Sequence, residues 1–338
     1  MTYTLDPDIQ AYVDACKAFV PVDDSLSARR DAFLRACRAC TPAAPAGWAI
    51  TDIRLDGVCL RVYKPAGEVP QGGWPTLLYL HGGGWDLGNL DTHDWFAHAL
   101  AQRVPVAIVA VEYRLAPKHS YPAPLQDCLA AWHGLRAGRV DPALSRERLV
   151  VAGDSAGGTL AAGLCMALRR DGQPQPLGQV LVYPVLTARD HLPSMTEHAD
   201  APLLTVAGLK RSLAGYVPDQ RDWRDPCAMP LEAEDFSGLA PAFIAVAGVD
   251  PLRDHGMAYG AALRRAGGEA EVDVVEGLVH SGLRAFGVER VERLWDRLGE
   301  TICHQLQLRP QQPGTQRNPA GNRHPAGERH QLPGQPDP

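Results

Sequence analysis

Six short apolar runs constrain this chain more than any other feature: 76–80, 107–111, 149–152, 179–182, 242–247 and 272–275. Each is rich in Val, Ile, Leu or Ala, and helix-compatible sequence separates each from the next. A strand that is apolar on both faces has to be covered on both faces. A parallel sheet with helices on each side, joined by right-handed crossovers, meets that demand. The predicted class is therefore α/β, with a mostly parallel central sheet flanked by helices. Ahead of these runs, residues 48–55 and 57–64 read as two strands joined by a turn at Asp56-Gly57, the second alternating as a half-buried strand does. Residues 1–45 read as amphipathic helix, with Ile9, Tyr12, Val13, Cys16 and Phe19 at helical spacing and Pro42 and Pro45 ending the pattern.

The strand–helix rhythm breaks over 187–235, where a helical stretch at 203–216 sits among polar and Pro-bearing sequence. An insertion between core strands at this point suits a lid. From 308 to 338 the chain is rich in Pro, Gln, Gly, Arg, Asn and His, a composition that predicts disorder. The expected division is a helical segment at 1–45, a core at 46–186 and 236–307, an insertion at 187–235 and a tail at 308–338. With 338 residues, 45% hydrophobic and 21% charged, the chain has enough apolar material for one large core. A net charge of −6 argues against a nucleic-acid partner, which calls for a basic stripe. No apolar run approaches the roughly 20 residues of a membrane-spanning helix. The first residues carry no basic, apolar leader pattern, so the expected location is cytoplasmic. The eight cysteines form no paired framework. Cys37-x-x-Cys40 lies in a helical pattern without a second C-x-x-C or a nearby His, and reads as free thiols in a reducing compartment.

Chemistry enters at Gly153-Asp154-Ser155-Ala156-Gly157, which directly follows the run 149–152 and opens a helical stretch to Arg170. A serine on so sharp a strand-to-helix turn is lifted above the sheet, and the helix N-terminus beneath it favours developing negative charge. A second signal, His81-Gly82-Gly83-Gly84-Trp85, directly follows the run 76–80. Consecutive glycines can aim several backbone N–H groups into one cavity, the geometry that holds an oxyanion together with the N–H of the residue after the nucleophile, here Ala156. His81 precedes the serine and is read as orienting this loop. A nucleophilic serine needs a base, and the base an orienting acid. His280, in the loop just after 272–275, can reach the sheet edge where Ser155 must stand. His191 and His198 fall in the insertion, His255 in the helix after Asp250, and His304, His324 and His330 in or near the tail. Asp250 follows the run 242–247 at the same edge and is preferred as the acid; Asp254 and Glu276 are its rivals. Trp85 is expected to line the substrate pocket.

These residues resemble the bacterial hormone-sensitive-lipase-like carboxylesterases of the α/β-hydrolase superfamily. The likeness is carried by His81-Gly82-Gly83-Gly84-Trp85, Val111-Glu112-Tyr113-Arg114-Leu115-Ala116-Pro117, Gly153-Asp154-Ser155-Ala156-Gly157-Gly158, Asp250-Pro251-Leu252-Arg253-Asp254 and the His280 loop, spanning roughly 75–285. The resemblance implies the α/β-hydrolase fold and a Ser155–Asp250–His280 triad. It implies an oxyanion hole from the backbone of Gly83, Gly84 and Ala156, with Gly82 shaping the loop or joining it. It further implies a helical cap built from the N-terminal helices and the 187–235 insertion, no cofactor and no metal, and a small-molecule ester of short to medium acyl length as substrate. An amidase or formamidase on the same triad is the alternative; a small-molecule receptor without turnover is a third reading. Pairing of exposed strand edges would make a homodimer. Three positions depart from the family: Glu112 stands in place of Asp, Lys118 in place of Glu, and Ser281-Gly282 follows the triad histidine in place of Gly-Phe.

Overall fold

The structure, a computed structural model, describes residues 3–308. Eight strands form one sheet: β1 (Ala49–Leu55), β2 (Val58–Lys64), β3 (Trp74–Leu80), β4 (Ala107–Glu112), β5 (Leu144–Asp154), β6 (Gln179–Val182), β7 (Ala242–Val249) and β8 (Ala270–Val279). The helices are α1 (Pro7–Cys16), α2 (Leu26–Cys40), α3 (Asp94–Ala101), α4 (Ala123–Arg136), α5 (Ala156–Arg170), α6 (Ser194–Glu197), α7 (Val206–Tyr216), α8 (Arg253–Arg265) and α9 (Glu289–Gln305). Asp56 and Gly57 both take positive φ, 49° and 89°, which suits a two-residue hairpin turn and sets Leu55 opposite Val58. The strand order is β1-β2-β4-β3-β5-β6-β7-β8, with β2 antiparallel to both neighbours and β4 through β8 parallel.

The expected α/β class, with its mostly parallel sheet and flanking helices, is what the chain adopts. Alternation along β3 shows how the core is divided: Leu78 and Leu80 enter one apolar layer, Leu77 and Tyr79 the other. The first layer packs under α4, α5, α7 and α8, the second under α1, α3 and α9. α9 buries Val291, Leu294, Trp295, Leu298 and Ile302, a 3.6-residue stripe. Each fully buried aliphatic side chain of that stripe contributes about 1.5–3 kcal/mol relative to exposure.

Topology decides where a ligand can sit. After β3 the chain steps outward to β4, then returns to the other side of β3 as β5. Loops leaving β3 and β5 therefore diverge, and a crevice opens beyond their C-terminal ends, the switch point of an open parallel sheet. The glycine loop leaves β3 there, and Ser155 follows β5 beside it.

Several bounds differ from the sequence reading. β5 begins at Leu144 rather than 149, because Leu144 pairs with Trp74 ahead of an irregular polar stretch (Ser145 to Arg148) and the buried run. β8 extends beyond 272–275 at both ends as an edge strand with exposed positions. In the insertion, Thr205 caps α7 by accepting the Gly208 N–H at 3.1 Å, so the helix starts at Val206 and Leu203 stays outside it at φ 67°. The tail expected at 308–338 lies, beyond Leu308, outside the described residues.

Candidate active site

β5 passes into α5 with one residue, Ser155, between them. So abrupt a turn places Ser155 at φ 52°, ψ −118°, a backbone state that non-glycine residues adopt only under tertiary constraint. Its N–H donates to the Val182 carbonyl at 2.8 Å. The first turn of α5 lies so close to β3 that a Cβ at Gly157 would strike the Leu80 carbonyl oxygen, which is why that position has no side chain. Ser155 Oγ then stands 2.9 Å from His280 Nε2, and His280 Nδ1 stands 2.7 Å from Asp250 Oδ2. Asp250 is completely buried, and its second oxygen accepts the Leu252 N–H at 2.8 Å. With Nδ1 donating to the carboxylate, Nε2 is left as the acceptor facing the serine hydroxyl.

The rivals are engaged elsewhere. Asp254 accepts the Ser194 N–H at 2.9 Å and pairs with Arg253 at 3.0 Å, while Glu276 is exposed on β8. His255 is buried in α8, where Nδ1 accepts the Leu186 N–H at 3.1 Å and burial lowers its pKa to about 3. His198 lies against Arg253, and His191 is exposed.

The glycine loop is held from below. Gly83 and Gly84 have φ of 115° and 59°; at Gly83 a Cβ would also sit 2.6 Å from the Leu87 carbonyl oxygen, so only glycine fits. None of the hydrogen bonds among the described residues takes up the N–H of Gly83, Gly84 or Ala156. The Gly82 N–H, by contrast, donates to Asp154 Oδ1 at 2.9 Å. Gly82 is thus an anchor of the loop, and its donor is occupied. Asp154 also accepts the Tyr79 hydroxyl at 2.6 Å, and burial raises its pKa despite those donors. His81 lies 2.8 Å from the Gly82 carbonyl through Nδ1 and stacks on Tyr113 at 4.2 Å and His93 at 5.0 Å. Its own carbonyl accepts the Tyr113 hydroxyl at 2.7 Å. Burial lowers its pKa to about 4, so at neutral pH the ring is an uncharged brace under the loop. Asp154, Tyr79 and Tyr113 were not singled out in the sequence; an acid at the end of an apolar strand, one residue ahead of the serine, was the available signal.

Above the serine lies a cavity of about 410 Å³. Ser155, His280 and Gly84 line it together with Phe33 from α2 and Leu209 from α7. Trp85 lines it too, fully buried and flat against Tyr216 at 4.3 Å between ring centres. A larger hollow, about 1110 Å³, surrounds Arg264 and Arg297 and contains none of the triad residues. Among the described residues no group of three or more His, Cys, Asp or Glu could hold a metal ion, and no helix is long and apolar enough to cross a membrane. All eight cysteines are free, Cys37 buried in α2.

The alpha/beta hydrolase fold family matches residues 77–284. The esterase LipI of Mycobacterium tuberculosis is 38% identical over 294 residues, covering 84% of this chain and 89% of the relative. The ethyl acetate hydrolase of Pseudomonas putida is 37% identical over 241 residues, 70% of this chain and 76% of that protein. Among solved structures, a thermostable esterase from Pseudomonas putida superposes with a TM-score of 0.83 at 28% identity, covering 91% of this chain and all of its own.

Proposed function

This chain belongs to the alpha/beta hydrolase fold family and is a carboxylic ester hydrolase; from that premise we propose that it cleaves short- to medium-chain acyl esters through an acyl-enzyme on Ser155. The observation that carries the reading is the hydrogen-bonded line Ser155–His280–Asp250 beside three unoccupied backbone donors. Ser155 Oγ attacks the ester carbonyl as His280 Nε2 takes its proton, and Asp250 steadies the imidazolium. The carbonyl oxygen, now negative, is held by the N–H groups of Gly83, Gly84 and Ala156. His280 passes the proton to the departing alkoxide; water then adds to the acyl-enzyme by the same route and releases the acid.

The N-terminal helices and the 187–235 insertion act as a cap, since Phe33 and Leu209 wall the cavity from those two segments. A cavity of about 410 Å³ suits a small acyl ester, as does the substrate named for the Pseudomonas putida relative. The test is a 4-nitrophenyl ester series from acetate to decanoate, with matched anilides. Rates should peak at short to medium length, each ester well above its anilide. A maximum at decanoate would overturn the chain-length reading, and faster anilide cleavage would make the enzyme an amidase. A phosphonate inhibitor should add to Ser155 alone, as read by peptide mass spectrometry.

A further inference from the structure

Two arginines line the cavity above Ser155, and among the described residues only Arg29 has a carboxylate within ion-pair distance. Arg29 of α2 places Nη1 3.1 Å from Asp86 Oδ2. Arg284, four residues beyond His280 in the loop that follows β8, has no carboxylate within 4.0 Å among the described residues. Its Nη1 lies 3.1 Å from Cys37 Sγ, its Nε makes a long 3.5 Å contact to the Ser281 carbonyl, and its Cζ sits 5.7 Å from the Phe33 ring centre. Nη2 donates to none of the described residues.

The groups that touch this guanidinium do not neutralise it, and the buried Asp154 carboxylate acts on it only from beyond ion-pair distance. Burial raises the Cys37 thiol and the Tyr12 and Tyr183 hydroxyls, and pushes the Cys40 thiol up to about 12, so all four are uncharged at neutral pH. A permanently charged side chain whose direct contacts are all neutral, on the wall of a substrate cavity, is a costly arrangement unless an anion completes it. Guanidinium offers a planar fork of donors that matches a carboxylate, and such charge-assisted bonds are stronger than neutral ones.

Resting on the ester-hydrolase reading of Ser155, we propose that Arg284 binds a carboxylate carried by the substrate, so that the preferred esters bear an anionic group besides the scissile bond. Arg29, already paired with Asp86, holds the cap to the glycine loop and takes no part in this recognition. Two substrate pairs locate the carboxylate. Mono-4-nitrophenyl adipate against 4-nitrophenyl hexanoate places it on the acyl side; 4-carboxyphenyl butyrate against 4-carbamoylphenyl butyrate places it on the alcohol side.

In one arm, wild-type kcat/KM should favour the anionic member by about tenfold or more, the worth of a hydrogen bond to a charged group. Arg284→Met should erase that preference, mainly through KM, while the neutral partner changes less than about threefold; Arg284→Lys should keep part of it. The wild-type ratios need no variant to be folded. If neither arm favours the anionic ester, or if Arg284→Met retains the preference, the proposal is overturned. Failure of the wild type to cleave the neutral esters at all would instead remove the ester-hydrolase reading beneath it.

Discussion

Asp250 and Asp154 are both buried carboxylates near histidine, but only the first holds its ring. Asp250 Oδ2 lies 2.7 Å from His280 Nδ1, and the opposite nitrogen of that ring faces Ser155 Oγ at 2.9 Å. Asp154 is occupied by the Tyr79 hydroxyl and the Gly82 N–H, and His93 Nε2 stays 3.9 Å away. The rings differ in the same way. His81 and His93 are both pushed down by burial, His81 to about 4, and neither has a carboxylate within hydrogen-bond distance. A histidine near an acid is not for that reason a base: it needs a continuous hydrogen-bonded path to the nucleophile. In the proposed mechanism the Asp250 assembly moves a proton, whereas the Asp154 assembly holds backbone.

That contrast can be tested step by step. Ser155→Ala should lower kcat by about 10⁴-fold or more with little change in Tm, because it removes the nucleophile and no apolar contact. Near-normal turnover by that variant would take the whole site with it. Next in size, Asp250→Asn should cost about 10⁴-fold, by leaving the imidazole in the wrong tautomer, while Asp254→Asn stays within a few-fold. The opposite ranking in steady-state kcat/KM would transfer the orienting role to Asp254.

Asp154→Asn tests the other half of the comparison. The loop beneath the oxyanion would lose an anchor, and a displacement of about 1 Å there is worth about 10²-fold in kcat. Loss as deep as that of Asp250→Asn would mean that Asp154 serves the proton path after all. The smallest effect is on stability. His81 refuses a proton until about pH 4, whereas the unfolded chain accepts one near 6.5. Stability should therefore fall as pH drops through that window and level off below it, by about 1.4 kcal/mol per pH unit for this one ring. In urea titrations at pH 6.5, 5.5 and 4.5, His81→Gln should flatten the decline by one proton's worth; an unchanged slope would show that the buried ring is not depressed.

Ser155, His280 and Asp250 were legible because each closes a strand at one edge of a parallel sheet, and strands of this kind announce themselves as short apolar runs. The glycine loop was legible for the same reason. Gly82 was not assignable between shaping the loop and donating to the oxyanion, since its N–H is claimed by Asp154, 72 residues away in the chain. Tyr79 read only as an apolar strand residue, and its hydroxyl finds its acceptor 75 residues on. Arg284 carried no mark beyond its place after His280. What distinguishes it, a place on the cavity wall with no described carboxylate within 4.0 Å, depends on what α1 and α2 bring to it, including a cysteine 247 residues distant.

By itself the sequence determined the layering, the candidates for nucleophile and base, and the glycines that permit a close backbone approach. These follow from local rules: periodicity of apolar side chains, the steric freedom of glycine and the chemistry of a serine beside a helix N-terminus. Tertiary structure alone decided that Asp154 takes the Gly82 N–H, which donors of the glycine loop no described residue takes up, and that Arg284 stands on the cavity wall with no described carboxylate within 4.0 Å. Such choices turn on distances of about 3 Å between side chains far apart in the chain, and hydrogen bonds and ion pairs are decided at that scale.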